Sequence, residues 1–480
     1  MKNISILDEA KNAAASLAGA AANLFNPTLR LGVTGFSRAG KTVFITSLVH
    51  NLLHGGALPL FEPARAGRIR RAYLEPQPDA HLPRFAYEDH IAALTAGEAR
   101  RWPKSTAQLS QLRITVDYQP QGFLARRTGR NRLHIDIVDY PGEWLLDLPL
   151  LDMDYATWSD KILKAARQPS RKELARPWLD FIATLDIRAP LQEQTARRAA
   201  ALYRAYLEAC RANPGHFSAL QPGRFLMPGD LEGSPLLTFC PLPAPEGSLP
   251  AASLWRQMER RYLAYVRHVA RPFFFDHFAR LDSQVVLADI LTALNGGAGA
   301  VRDLKGALAS VLACLRTGAS SLLARRAARV LFCATKADLI HHESHERLRA
   351  ILALLIEQAA RKAEYAGAAI ETTPLAAIRA TREGTAKSNG EELPVIIGIP
   401  EKGEEISGEI FDGKTQAAIF PGDLPDDPRA ALDGSLHGAL RFVRFRPPLL
   451  APSDPLARTG SFPHIHLDSA LQFLTGEWFS

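Results

Sequence analysis

The apolar positions of this chain change period several times, and each change marks an element. A short β-type run over 29–34, Leu-Arg-Leu-Gly-Val-Thr, is followed after an interval of loop residues by Val43, Phe44, Ile45, Leu48, Val49 and Leu52. That spacing gives a helix one strongly apolar face. Residues 57–104 are rich in Pro and Arg, with one helical piece over 87–94, and the helix before them ends near His54-Gly55-Gly56. Leu112, Ile114, Val116 and Tyr118 then alternate as a half-buried strand does, and Leu133, Ile135, Ile137 and Val138 predict another. From 145 to about 280 the alternation stops. Tyr155, Trp158 and Ile162, then Leu174, Trp178 and Phe181, and later Met258, Tyr262 and Val266 recur every three or four residues. This predicts a helical bundle, punctuated by Pro- and Gly-rich loops over 222–233 and 241–250. Strands are expected again over 284–288, 330–334 and 368–372, with helices over 303–327 and 344–366 between them. Strands alternating with helices predict an α/β fold with a mostly parallel sheet.

The interval between the first strand and the first helix is Gly35-Phe36-Ser37-Arg38-Ala39-Gly40-Lys41-Thr42. Strand, glycine loop, Lys-Thr and helix come in the order of a P-loop. Gly35 and Gly40 permit turns that a Cβ would obstruct, so backbone N–H groups can converge on phosphate oxygens at the positive end of the helix. Lys41 would reach the β- and γ-phosphates, and the Thr42 hydroxyl would ligate Mg²⁺. Ser37, Arg38, Ala39, Gly40, Lys41, Thr42 and Val43 are therefore the candidate phosphate-side residues. An ordinary glycine turn capping a helix is the alternative, and the strand-helix context counts against it.

Later stretches supply the rest of such a site. The strand ending at Val138 leads into Asp139-Tyr140-Pro141-Gly142-Glu143, where a carboxylate at a strand end can hold Mg²⁺ as a Walker-B Asp does. Gly142 leaves its N–H free for a γ-phosphate. Thr106, just ahead of the second strand, is the candidate first switch and a further metal ligand; Arg101 or Lys104 before it could supply a second cation, with an ordinary surface charge as the alternative. Glu143 occupies the place where many GTPases carry a water-orienting Gln, which predicts slow turnover; the alternative is a helix cap. The strand over 330–334 leads into Thr335-Lys336-Ala337-Asp338. Asp338 would accept from N1–H and the exocyclic amine of guanine, and adenine offers neither donor. Lys336 would lie along the purine face, and Thr335 would hydrogen-bond the P-loop. After the last strand, Ala377 and Ile378 are the candidates for reaching guanine O6. His341, His342 and His345 fall close together but read as a solvated helix start.

Composition changes the picture little. With 480 residues, 47% of them hydrophobic, the chain can bury more than one core. Cys210, Cys240, Cys314 and Cys333 have no zinc-like spacing, which predicts a reduced, cytoplasmic protein. No stretch has the roughly 18 uninterrupted apolar residues of a spanning helix, and no signal sequence is evident. The net charge of +7 leaves anionic lipid and nucleic acid as partner classes. Nucleic acid is disfavoured, because no aromatic-interleaved or zinc module accompanies the arginine clusters. A weakly amphipathic helix over 2–25 would dock on the protein or lie on the inner face of a membrane. From about 385, turns and short β-runs over 395–399, 417–420 and 442–445 predict a β-rich appendage closed by a helix over 469–474.

The P-loop string, the run Asp139-Tyr140-Pro141-Gly142-Glu143-Trp144, the turn Phe420-Pro421-Gly422-Asp423-Leu424-Pro425 and the ending Pro463-His464-Ile465-His466-Leu467-Asp468 resemble the YcjX family of bacterial P-loop GTPase-like stress proteins. The resemblance implies a Ras-like nucleotide domain with a large helical insertion that binds GDP and GTP with Mg²⁺, and in enteric bacteria a link to phage-shock and heat stress. It places the phosphate roles on Gly40, Lys41 and Thr42, the switch roles on Thr106, Asp139 and Gly142, and base recognition on Lys336 and Asp338. The expected organisation is an N-terminal helix (1–28), a Ras-like G domain in two parts (29–144 and 281–385), a helical insertion (145–280) that could dock a protein effector, and a β-rich extension (386–480). The expected function is a slow GTPase switch with Mg²⁺ as cofactor. A nucleotide-stabilised scaffold and an ATP-using P-loop enzyme are the alternatives.

Overall fold

The computed structural model describes residues 27–35, 38–104, 108–121, 131–213, 220–317, 329–365, 367–388, 391–450 and 460–479. The helix expected over 2–25, Ser37 and Thr106 lie outside them. A seven-stranded sheet organises the chain, in the order β2-β3-β4-β1-β5-β6-β7. Its strands are β1 (Thr28–Gly35), β2 (Ile69–Glu75), β3 (Ser110–Tyr118), β4 (Arg132–Asp139), β5 (Ser283–Ala288), β6 (Arg329–Thr335) and β7 (Ala369–Leu375). From β4 across to β7 every neighbouring pair is parallel, whereas β2 and β3 form an antiparallel edge.

The central strands are continuous apolar runs because helices cover both of their faces. Their residues still divide with period two. Val285, Leu287, Leu331 and Cys333 join one core with Leu29, Leu31 and Val33, beneath helix α1 (Lys41–Leu53). Val286, Ala288, Val330, Phe332 and Ala334 face the other core, under helices α7 (Ala298–Thr317) and α8 (His345–Tyr365). This three-layer arrangement is the P-loop NTPase type of α/β fold.

Between β4 and β5 the chain leaves the sheet. A 3-10 run, Gly142–Asp152, leads into helices α3 (Tyr155–Ala166), α4 (Pro169–Ala183), α5 (Glu193–Ala212) and α6 (Leu254–Tyr265). These have their own aromatic core, in which Trp158 stacks on Tyr262 and Trp178 on Tyr206. In chain order they follow the short helix α2 (Tyr87–Leu94). After β7 comes a small sheet of β8 (Arg382–Ser388), β9 (Glu391–Gly398) and the short strand Ala417–Ile419, and the chain closes on helix α9 (Leu467–Thr475).

Three elements depart from the expectations. Strand β2 lies in a stretch read only as Pro- and Arg-rich; its polar sequence suits a sheet edge, where β3 supplies the pairing. The segment after Asp139 is a 3-10 run where the alternative reading of Glu143 expected a helix, since Leu145, Leu146, Leu148 and Leu150 are all buried and Pro149 interrupts it. The β-run over 442–445 is irregular, apart from a bridge between Phe445 and Pro400.

Candidate functional site

Register places the candidate residues along one edge of the sheet. Val33 is opposite Asp139, Gly35 opposite Leu287, Ala288 opposite Ala334, and Thr335 opposite Leu375. The glycine loop, Asp139, the Thr335–Asp338 turn and the Ala376–Ile378 segment therefore all leave the carboxyl ends of adjacent strands. In open α/β sheets that edge is where ligands bind.

On the phosphate side, Gly40 adopts φ 82° and Arg38 φ 66°, so the backbone turns through the left-handed region twice just before α1. Helix α1 begins at Lys41 with neither a side-chain cap nor an acidic residue in its first turn. Its positive end thus has no compensating carboxylate within the helix's own first turn. The Lys41 ammonium pairs with Asp139 Oδ1 at 2.7 Å and donates to the Tyr140 carbonyl at 2.8 Å. Asp139 is buried, and its Oδ2 accepts no hydrogen bond among the described residues. A buried carboxylate oxygen without a donor, close to a helix that starts Lys-Thr, fits a hard cation such as Mg²⁺. Thr42 is buried one residue after Lys41, and Val43 packs at the rim of a small cluster containing Leu94, Ile378 and Phe462. His90 of α2 feels the Asp139 carboxylate, although desolvation dominates and lowers its pKa.

The segment after Asp139 faces the insertion. Gly142 is buried, and the Glu143 carboxylate lies 3.8 Å from Arg211 of α5. The Trp144 indole donates to the Met227 carbonyl at 2.9 Å and lies beneath the Arg224 guanidinium, 3.2 Å from its ring centre. Asp147 accepts from Gly223 N at 2.7 Å and from Tyr265 Oη at 2.5 Å.

On the far side, Thr335 Oγ1 donates to the Ala288 carbonyl at 3.2 Å, not to the glycine loop. Lys336 takes φ 60° and pairs with Asp289 Oδ2 at 2.5 Å. Asp289 itself caps the next short helix through Thr292 N. Asp338 is buried, which raises its pKa, and its Oδ2 accepts from Ala380 N at 2.9 Å. The Ala377 carbonyl accepts from Ser47 Oγ of α1 at 2.6 Å, tying this loop to the phosphate-side helix. Ile378 is buried in the cluster with Leu94 and Phe462. Arg101 and Lys104 are exposed, while the neighbouring Arg100 and Trp102 are anchored to the carbonyls of Pro447 and Phe445.

The structure thus joins Lys41 to Asp139 and sets Thr335, Lys336 and Asp338 on the same sheet edge. Asp289 and Ala380, which hold Lys336 and Asp338, were not anticipated. Asp289 follows directly on the strand read over 284–288, and that position was its only signal. Of the histidines near the start of α8, His342 pairs with Glu383 and His345 meets the Ala337 carbonyl, whereas His341 Nδ1 stands 3.7 Å from Glu343 and makes no hydrogen bond among the described residues.

Residues 29–479 match the model of the YcjX-like family, DUF463. Over 467 residues the chain is 35% identical to a protein of Escherichia coli (strain K12) named Ras-like GTPase YcjX, covering 94% of this chain and 95% of that protein. A Shewanella oneidensis protein of the same name is 34% identical over 475 residues, covering 94% of each. The match extends from the first strand to the last helix, so the chain belongs to the YcjX-like family.

Proposed function

We propose that this protein is a guanine-nucleotide switch that binds GTP and GDP with Mg²⁺ and hydrolyses GTP slowly. The observation that carries this reading is the meeting of Lys41 with Asp139 on the sheet edge that also bears Thr335-Lys336-Ala337-Asp338. The relatives' name, Ras-like GTPase, agrees with it. Lys41 would leave Asp139 for the β- and γ-phosphates, and the backbone N–H groups before α1 would orient them. Asp139, Thr42 and Thr106 would hold Mg²⁺, whose charge offsets that of the phosphate oxygens. Water attacks the γ-phosphorus as the bond to the β-phosphate oxygen breaks, leaving GDP and phosphate. Gly142 N–H would sense the γ-phosphate. Slow turnover would follow from Glu143, whose carboxylate, 3.8 Å from Arg211, would repel the γ-phosphate where many GTPases carry a Gln. Asp338 and Lys336 would read the base, with Ala377 and Ile378 closing its far side through their backbone, and Arg101 would add a cation at the first switch.

The test is calorimetry with GDP, GTP and ATP, with and without Mg²⁺. Guanine nucleotides are expected to bind at least about tenfold more tightly than ATP, and Asp338→Asn is expected to erase that preference, since it removes the acceptor of two donors. A wild-type preference for ATP would remove the base assignment. A second reading, a nucleotide-held scaffold with negligible turnover, draws on the same engagement of Glu143 and Asp147 by the insertion. Single-turnover hydrolysis indistinguishable from that of free GTP would select it.

A further inference from the structure

Between the helical insertion and α7 lies a cavity of about 240 Å³. That is below the roughly 300–1,000 Å³ of pockets for drug-sized ligands, so its natural occupant is small. Leu146 and Gln221, both buried, are among the residues that line it. Gln221 is 4% exposed, and its Nε2 donates to the Leu146 carbonyl at 2.6 Å, which fixes the orientation of the amide. Its Oε1 is then a buried acceptor, and among the described residues no group donates to it. Such an orphaned acceptor is unfavourable, and a ligand O–H or N–H would relieve it.

The charges around the cavity set the other requirement. Arg171 lines it too, but its guanidinium is already paired with Asp303. Lys161 and Arg302 line the exposed mouth, and neither has an ion pair among the described residues. The cavity therefore carries an excess of positive charge, which favours an anion. We propose that this cavity binds a small hydroxylated anion of sugar-phosphate size, its phosphate held by Lys161 and Arg302 and a hydroxyl donating to Gln221 Oε1. This site lies apart from the Lys41–Asp139 pair and does not depend on the guanine-nucleotide reading.

Ribose 5-phosphate is the probe, titrated calorimetrically into the full chain. Two variants leave the glycine loop untouched. A Cβ built on Gly306 of α7, which lines the cavity, meets no atom within 4 Å, so Gly306→Phe can fill the space from a helix that gains propensity by the change. Arg302→Glu reverses an exposed charge at the mouth. Saturable binding is expected in the wild type, abolished by Gly306→Phe and weakened about tenfold or more by Arg302→Glu, with the melting temperatures of both variants close to that of the wild type. Absence of binding would mean that the cavity holds water only. Binding unaffected by either variant would assign the heat to the glycine loop, and inorganic phosphate binding as tightly as the sugar phosphate would remove the hydroxyl from the proposal. Each of these three results overturns it.

Discussion

Asp147 shows how far a single side chain can be constrained in this protein. Burial pushes its carboxyl up to about 6, although Tyr265, Gly223 and the nearby Arg224 all favour the charged form. In the unfolded chain the same group titrates near 4. The folded state therefore holds the proton more tightly, and the stability this gives is fully present below about pH 4 and lost as the pH rises through about 6. A shift of about two units amounts to a loss on the order of 2–3 kcal/mol. In Asp147→Asn, which keeps an acceptor for Gly223 N but cannot ionise, unfolding free energies from urea titrations between pH 4 and 7 are expected to vary less than in the wild type by that amount. Lys41, Asp139 and Asp338 were legible because each stands in a short string whose chemistry is local. The partners of Asp147 and Asp338 were not: Gly223 and Ala380 contribute backbone N–H groups, which any residue other than proline carries.

At the scale of elements, the 3-10 run after Asp139 is tied to the insertion at one junction. Gly223 lies so close to Glu143 that a Cβ there would fall well inside contact distance of the Glu143 carbonyl. Gly223→Ala must push the two segments apart, with an expected loss of about 1–3 kcal/mol, read as a lower denaturant midpoint. Because Asp147 and Trp144 hold the same junction, the near-ultraviolet signal of Trp144 is expected to change in that variant. The helices of the insertion were readable because each has one buried face and one wet face, so a period of three to four survives in the sequence. The 3-10 run has no wet face along Leu145, Leu146 and Leu148, and its period is lost. Strand β2 escaped for the opposite reason: as an edge strand it has little apolar pattern to read, and its partner β3 lies well downstream.

At the scale of the whole molecule, the end of the chain completes the first core. Leu467, Leu471 and Leu474 of α9 join the core that also holds Leu48 and Leu52 of α1 and Leu31 of β1. Asp468 accepts from Leu60 N, and Ala376 bonds reciprocally with Ile465, so the final segment also holds the loop beyond β7. Leu471→Ala is expected to cost about 2–5 kcal/mol and to lower the midpoint of the main unfolding transition, not that of a separate tail. None of the described helices is long and apolar enough to cross a membrane. By itself the sequence determined the strand-helix rhythm, the glycine loop with Lys41 and Thr42, the strand-end Asp139 and the Thr335–Asp338 turn, because each depends on residues adjacent in the chain or on a repeating period. Only the tertiary structure decided which way Glu143 faces, which groups hold Lys336 and Asp338, and how Gln221 and Arg302 come to line one cavity. Those outcomes depend on contacts between residues far apart in the chain, whose pairing is set by packing and leaves no mark in any local pattern.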